Sequence, residues 1–524
     1  MTDPVAHAGP SNWASLLHLP EDIQQFKILQ LPQDVQLSIL LAFNIRELVI
    51  CKRLCRSLAN LINNNIAIRY KLDLARSGRI DGTRSVAVID RLAALRKHRA
   101  RFHAGDHPLK RAPLPPFGFL PTRSGMVVVD DSVPLWRPAT TFSGFGELKI
   151  AHSVQRLGLD GHRSGSCAVD LAQDLLIFSR RFSTLDPLQV VTECCIYSLS
   201  EGQPHPLASR SHIPSNLDFQ HLINAQICDD IQVLGDSLAW NVHNGEKREM
   251  WVFNWKTGVA VCHFTAIPWW HCRLVSQSHV VVFAVMSLHI YSIDRDRPPA
   301  PATHDTPLCT LDLPAWSKNI LNAHYSSINS YIQFPPAPGP DDAPLYRHDP
   351  DLTVLTIYLE FRVNTPRRVV QLDQYAIFVP VSTLKARVEA SSTSWWSRRP
   401  RIFSWNEWGP TGARIVHFEF PCTLSPMGCS VAVTQKTWTG GTAALKVFVF
   451  DVHPRARQDP RRLQDARGLV YATDTLFETP AFAKRIRTTF PFEFTFRDIP
   501  LGLDELSASV VLTEDGLVLV TPAA

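Results

Sequence analysis

The apolar residues of this chain change their period once, near residue 120, and that change sets the broad architecture. From about residue 28 to 102 they recur at three- and four-residue steps, the spacing of one helix face. After about 120 they come in short runs, alternating or continuous, the spacing of strands. Val35, Leu37, Ile39, Leu40 and Phe43 define the first helix. Pro32 stands at its start, where a missing N–H does no harm, and Asp34 falls in the first turn. Leu48, Cys51, Leu54, Cys55, Leu58, Leu61 and Ile62 mark a second stripe. Lys52, Arg53 and Arg56 lie on its other side, and Asn63, Asn64 and Asn65 end the run. A further helix is expected over about 66–77, closed by Gly78, and another over about 83–102. The stretch HAGDHPLKRAPLPPFGFLP (103–121) carries five Pro and reads as a linker.

Beyond it the strand-like runs form small groups: 174–182 with 190–199; 237–242, 249–255 and 259–264; 279–285 with 288–294; 351–360 with 374–382; 430–435 with 444–452. The chain closes with 507–520, a hairpin with Asp515-Gly516 at its turn. The second strands end near 199, 255, 293, 381 and 452, and most steps fit one or two units of roughly 40–50 residues, the size of a propeller blade. A four-stranded blade cannot hide both faces alone, and radial packing buries both while protecting the edges. The 39 Pro against 24 Gly suit short strands joined by irregular loops. The expected fold is α+β multidomain: a small N-terminal helical region followed by a large all-β domain. That domain is expected to be a degenerate β-propeller of about seven blades, six or eight remaining open, with paired β-sandwiches as the alternative. The divisions are a tail (1–27), the first helices (28–65), connecting helices (66–102), the linker (103–121) and the β domain (122–524).

Little in the chain points to chemistry. The net charge of +5 over 524 residues is too weak to imply nucleic acid. The most basic stretch, from Arg91 to Arg111, reads as a solvated helix face with an anionic contact as the lesser reading. The longest apolar run, His279 to Ile293, is too short to span a bilayer, and the first residues lack the pattern of a signal peptide. A soluble protein of the cytoplasm or nucleus is expected, with no membrane partner. The 11 Cys are scattered and no C-x-x-C occurs, so neither a disulfide framework nor a metal site is expected. No nucleophile elbow, zinc-protease helix, Walker loop or dinucleotide fingerprint is present. Gly144-Phe145-Gly146 lacks a third glycine. His103 and His107 have helical spacing, but Gly105 and Pro108 break a helix there. His271-Cys272 reads as packed core. Asp229-Asp230, Asp341-Asp342 and Glu514-Asp515 are assigned to turns. No catalytic residue, cofactor or enzyme activity is expected. Trp395, Trp396, Arg398 and Arg399 make an aromatic-basic cluster of the kind enriched at interfaces, whereas Trp405 and Trp408 are expected to pack inside the sheet.

The ordered set Leu31-Pro32-x-Asp34-Val35, Ile39-Leu40, Leu48, Cys51, Leu54-Cys55-Arg56, Leu58 and Leu61 resembles the F-box. RYKLDLARSGRIDG (69–82) is similar to a segment that follows the F-box in F-box proteins of mushroom-forming (basidiomycete) fungi. DLAQDLLIF, VFNWKTG, SWNEWGPTGARIV and LTEDGLVLV look like the same family, and together these patches cover about a fifth of the chain. The resemblance implies that Leu31, Pro32, Val35, Ile39, Leu40, Leu48, Cys51, Leu54, Cys55 and Leu58 serve docking to the Skp-type adaptor of a cullin-based ubiquitin ligase. The β domain would then bind a protein substrate for ubiquitination, with Trp395, Trp396, Arg398 and Arg399 as candidate contacts. Three short helices cannot bury a full core alone. Roughly half of the docking set is therefore expected to face inward and half toward the partner. The rival readings are an interaction scaffold acting outside a ubiquitin ligase, with the helices as a cap, and a propeller enzyme.

Overall fold

The computed structural model describes residues 29–114, 119–121, 126–128, 164–183, 190–199, 201–215, 228–243, 248–266, 271–284, 286–293, 306–317, 320, 327–335, 344–364, 370–392, 400–418, 420–439, 442–453, 474–479, 481–502, 505, 508–514 and 516–522. The helical region comprises α1 (Gln33–Ala42), α2 (Ile45–Leu54), α3 (Arg56–Asn64) and α4 (Ile66–Arg76). A short strand, β1 (Arg79–Asp81), separates these from α5 (Val88–His103). Local chemistry sets the boundaries. Pro32 holds extended backbone ahead of α1. Asn44 and Glu47 form a reciprocal cap on α2: Glu47 N–H donates to Asn44 Oδ1 (3.0 Å) and Asn44 N–H donates to Glu47 Oε2 (2.7 Å). Asn65 Oδ1 accepts from Ile68 N–H at the start of α4. Gly78, at φ +60, turns the chain out of α4 into β1.

Two small cores meet on α4. Ile68 and Leu72 join Leu40, Leu48, Cys51, Leu58 and Ile62 of α1–α3. Tyr70 and Leu74, on the other side of the helix, pack with Leu92 and Leu95 of α5 and with Tyr346 of the β domain. α4 is thus the bracket between the first three helices and the rest of the molecule.

After β2 (Leu109–Leu114), β3 (Phe119–Pro121) and β4 (Met126–Val128), the chain runs into successive antiparallel sheets. The first is β5 (Ser164–Asp170), β6 (Leu175–Ser183), β7 (Val190–Ser198) and β8 (His212–Pro214). The second is β9 (Cys228–Leu234), β10 (Ser237–His243), β11 (Arg248–Asn254) and β12 (Val259–Ala266). The third is β13 (His271–Ser276), β14 (His279–Ala284), β15 (Ser287–Ser292) and β16 (Cys309–Asp312). Each is a meander, with strands neighbouring in chain order.

The fourth sheet takes β17 (Ser327–Tyr331), skips the three-residue β18 (Tyr346–His348), and continues with β19 (Val354–Asn364) and β20 (Val370–Pro380). Helix α6 (Val381–Ser392), β21 (Arg401–Phe403) and helix α7 (Trp405–Gly412) then intervene before its last strand, β22 (Arg414–Phe418). β21 adds to the outer edge of the third sheet, parallel to β16. The fifth sheet is β23 (Cys422–Met427), β24 (Ser430–Thr439), β25 (Thr442–Asp451) and, after the small hairpin β26 (Thr475–Phe477) and β27 (Ile486–Thr488), β28 (Glu493–Leu501). The hairpin β29 (Ser509–Thr513) and β30 (Gly516–Pro522) completes the chain.

β2 pairs in parallel with β30, from Leu109 opposite Leu517 to Leu114 opposite Pro522. Residues 109–114 are therefore a strand within the stretch expected to be a linker. Five Pro signalled a break, but the partner strand supplies the ladder that local propensity lacks. Asp229-Asp230 likewise lies in β9 rather than in a turn.

Neighbouring sheets touch through their first strands: β5 against β9, β9 against β13, β17 against β23, β23 against β29, and β3 against both β29 and β5. Side chains satisfy the edges that these contacts bury. Gln232 of β9 donates to Leu274 O (2.9 Å) and accepts from Leu274 N–H (2.7 Å). Asn241 of β10 does the same for Cys272, donating to its O (3.3 Å) and accepting from its N–H (2.8 Å). Arg273 of β13 donates to Ser330 O of β17 through both Nε (3.1 Å) and Nη2 (2.6 Å), and pairs with Asp230 of β9. Burial pulls the Arg273 guanidinium down to about 10, so it stays charged at neutral pH. Such amides and guanidinia keep a buried strand edge from leaving backbone groups unmade.

Candidate docking surface and its mounting

The first three helices bury one flank and leave the other uncovered. Leu40, Leu48, Cys51 and Leu58 of the candidate docking set point inward. Leu31, Pro32, Val35 and Leu54 are exposed, and Ile39 and Cys55 are half-buried. Leu29, Leu31, Val35, Leu41, Val49, Ile50, Leu54 and Ile66 are each 36–44% exposed, large for apolar side chains. They are eight of the eighteen exposed large apolar residues among the described residues, concentrated in positions 29–66. Exposed apolar residues scattered singly are ordinary, so it is their concentration in this one stretch of the chain that stands out. Val35 lies in the first turn of α1, and Ile50 and Leu54 are one turn apart on α2.

The flank is basic at its margins. Over residues 29–69, Arg46, Lys52, Arg53, Arg56 and Arg69 stand against Asp34 and Glu47, five cations and two acids, a net of +3. Its geometry is fixed from behind. Gln36, buried, donates to the carbonyls of Leu29 (3.2 Å) and Leu31 (2.7 Å), pinning the approach to α1. Lys71 Nζ donates to Leu41 O and Phe43 O, both at 2.7 Å, clasping the end of α1 to α4. Burial lowers the Lys71 pKa and, with the nearby Glu47 carboxylate, raises that of the Cys51 thiol. Cys51 is thus a neutral packing group.

The mounting on the β domain is rigid and polar. β1 pairs antiparallel with β18, Arg79 opposite His348 and Asp81 opposite Tyr346. The ladder extends through Gly82 N–H to Leu345 O (3.1 Å) and Arg84 N–H to Pro344 O (3.2 Å). Tyr70 OH donates to Asp81 Oδ1 (2.8 Å) and lies 3.1 Å from Leu345 O. Beneath lies a buried cluster: the Cys429 thiol donates to Asp451 Oδ1 (3.2 Å), and His453 Nε2 lies 3.7 Å from Asp451 Oδ2. Burial would raise the Asp451 pKa, but His453 and the thiol hydrogen bond outweigh it and hold the carboxyl below its usual range.

Other sequence candidates fall elsewhere. Residues 393–399, which include Trp395, Trp396, Arg398 and Arg399, lie outside the described residues, as do Gly144-Phe145-Gly146, Asp341-Asp342 and Asp515. Trp405 and Trp408 are buried, but from helix α7 rather than from the sheet; Trp408 Nε1 donates to Asp312 O (2.8 Å). His103 ends α5 beside Glu493, and His107 is buried against Thr495 Oγ1 (2.9 Å). Three cations of the basic stretch pair with acids of the same chain: Arg91 with Asp81, Arg96 with Asp73, Arg111 with Glu505. No described helix is long and apolar enough to cross a membrane.

The fold and this surface define a β-rich domain of several antiparallel sheets carrying a compact helical module with an uncovered apolar flank. No family model matches the chain, and no curated protein matches it. Among solved structures it is similar to Kluyveromyces lactis Hsv2, at 8% identity and TM-score 0.22, over 57% of this chain and 96% of that one. The Kluyveromyces marxianus Hsv2 shows 10% identity and TM-score 0.24, over 69% of this chain and 90% of that one.

Proposed function

We propose that this chain is a non-enzymatic adaptor of the F-box type, docking through α1–α3 to the Skp-type subunit of a cullin-based ubiquitin ligase. Its β domain holds a protein substrate for ubiquitination, and its work lies in the cytoplasm or nucleus. The observation that carries the reading is the uncovered apolar flank, which α4 holds away from the sheets. A specific interface of this kind buries on the order of 1,200–2,000 Å² in total, and each Leu newly buried contributes about 1.5–3 kcal/mol. The basic margin suits an acidic partner. The rigid mounting matters to the mechanism: the ligase core brings an activated ubiquitin, and a fixed spacing decides which substrate lysines it reaches.

On this reading the sheets are the blades of a degenerate β-propeller. Its support is the succession of first-strand contacts, which runs from β5 through β9, β13, β17, β23 and β29 and returns through β3. Counting β3 with its hairpin partner β4, that makes seven units. The parallel β2–β30 pair then ties the start of the β domain to its end.

The test is co-purification of the full chain with a Skp-type adaptor, repeated with Leu31→Asp, Val35→Asp and Leu54→Asp combined. These side chains are exposed, so folding is expected to survive. A stable 1:1 complex with the wild type, lost in the variant while its melting curve is unchanged, is the expected result. Failure of the wild type to form any complex defeats the docking reading.

A further inference from the structure

A second cluster, far along the chain from the helical region, carries chemistry of its own. Glu193 and Cys195 are two residues apart on β7 and so share one face of the sheet. Cys194 and Ile196, on the other face, belong to the apolar core. Across the β7–β8 ladder, Cys195 stands directly opposite His212. Cys195 Sγ lies 3.7 Å from Glu193 Oε1, and His212 Nε2 lies 4.0 Å from the same oxygen. All three ligand atoms fall within 4.8 Å of one another.

We propose that Glu193, Cys195 and His212 form a three-ligand site for one zinc-class divalent ion, with water completing a tetrahedron. With metal–sulfur bonds of about 2.3 Å and metal–nitrogen and metal–oxygen bonds of about 2.0–2.2 Å, the edges of such a tetrahedron are about 3.3–3.6 Å. Along the two measured edges the sulfur–oxygen separation already matches to about 0.1 Å, and the nitrogen–oxygen separation has to close by about 0.6 Å. A thiolate, an imidazole and a carboxylate together favour zinc over magnesium or calcium, which take oxygen ligands. Coordination displaces the thiol proton to solvent, one proton for each ion bound.

The imidazole is already oriented for the task. His212 Nδ1 lies 2.8 Å from Ser211 Oγ. With the Nδ1 proton donated there, Nε2 carries the lone pair; it lies 3.4 Å from the Tyr197 hydroxyl, a contact the ion would displace, and 4.0 Å from Glu193 Oε1. Tyr197 and Phe178 wall one side, their rings 5.5 Å apart. Cys195 is fully buried and Glu193 nearly so, whereas the His212 side chain is 35% exposed and leaves a path of entry. The ion would clamp the three-residue β8 to β7. Its ligands come from two strands and follow no C-x-x-C spacing, so cysteine arithmetic alone passes over them. The proposal does not depend on the docking reading.

The test uses the full chain, stripped with chelator and titrated with Co²⁺ as a spectroscopic stand-in for zinc. One equivalent is expected to produce thiolate-to-metal charge-transfer absorption and the strong visible bands of a four-coordinate ion. Cys195→Ser should abolish the charge-transfer absorption, and Cys194→Ser should leave it. His212→Gln, at a half-exposed position that tolerates change, should remove tight binding. Ser211→Ala should weaken binding by about tenfold or more, as losses of an orienting partner do. Zinc should also raise the melting temperature of the wild type and not that of His212→Gln. No cobalt bands with the wild type, or bands that persist in His212→Gln, overturn the proposal.

Discussion

Gly82 occupies a position where only a hydrogen fits. A Cβ there would lie 1.9 Å from Pro344 O, while the Gly82 N–H reaches the neighbouring Leu345 O. The obstacle is backbone, which cannot swing aside like a flexible side chain. Gly82→Ala is therefore expected to prise β1 from β18 and to cost about 1–3 kcal/mol or more, as overpacking does. Chemical denaturation reads the loss, and hydrogen exchange should localise it to residues 79–84 and 344–348. An unchanged denaturation midpoint would show that the mounting is less tight than these distances imply. The buried groups beside it follow the same logic. The Cys429 thiol, its pKa raised well above the ordinary value by burial and by Asp451, acts as a hydrogen-bond donor rather than a nucleophile.

At the scale of the element, α2 is held by its cap. Removing the Asn44 side chain leaves the Glu47 N–H without its acceptor, and Asn44→Ala is expected to cost about 0.5–2 kcal/mol. The loss should appear as faster hydrogen exchange in α2 with the β sheets unaffected; equal loosening of both would mean that the two regions unfold as one unit. The stripe of α1 and the central strands β6, β7, β10, β11, β14, β19, β24 and β25 were visible in the sequence; the second stripe read as one helix from Ile45 to Ile62, which extended backbone at Cys55 divides into α2 and α3, and the cap at Asn44 went unread. Central strands are covered on both faces and carry long apolar runs. The first strands were harder to read for a physical reason. β9 (CDDIQVL), β13 (HCRLVS) and β17 (SINSY) spend Asp230, Gln232 and Arg273 side chains and the Ser330 carbonyl on contacts between sheets, which breaks the apolar pattern. Helix α6 follows Pro380 without any polar break, so its first residues read as a continuation of β20. α7 holds Gly409 and Pro410, and Gly409 is there because the Trp405 ring occupies the space a Cβ would need. In the docking set, the stripe was legible but its division into inward and outward residues was not. Leu48 and Leu54 look alike in sequence, and only the neighbouring helices decide that the first is buried and the second exposed.

Across the whole molecule, the helical region and the β domain are joined by histidines kept neutral. Burial, and then the charge of Arg79, pull the His98 pKa down to about 3; burial, and then Arg497, pull His107 down to about 4. Both stand at the junction. His98 is 3.3 Å from Arg79 Nη2 and packs on Tyr346, while His107 bonds Thr495 and its carbonyl accepts from Arg497 Nη1 (2.9 Å). In the unfolded chain each would titrate near its ordinary value of 6.5. Between that pH and the folded values the unfolded state binds more protons, so stability falls as pH falls. The contribution is whole above about 6.5, and it is lost progressively down to about 4 for His107 and 3 for His98. Asp451, depressed in the folded state, loses its own contribution only at still lower pH. The denaturation midpoint is therefore expected to drop between pH 7 and pH 5, with exchange at residues 79–107 rising before that of the central strands. The double variant His98→Gln, His107→Gln should flatten this dependence. A midpoint as steep in the variant as in the wild type would assign the acid sensitivity to other groups and leave the junction without its pH-dependent hold.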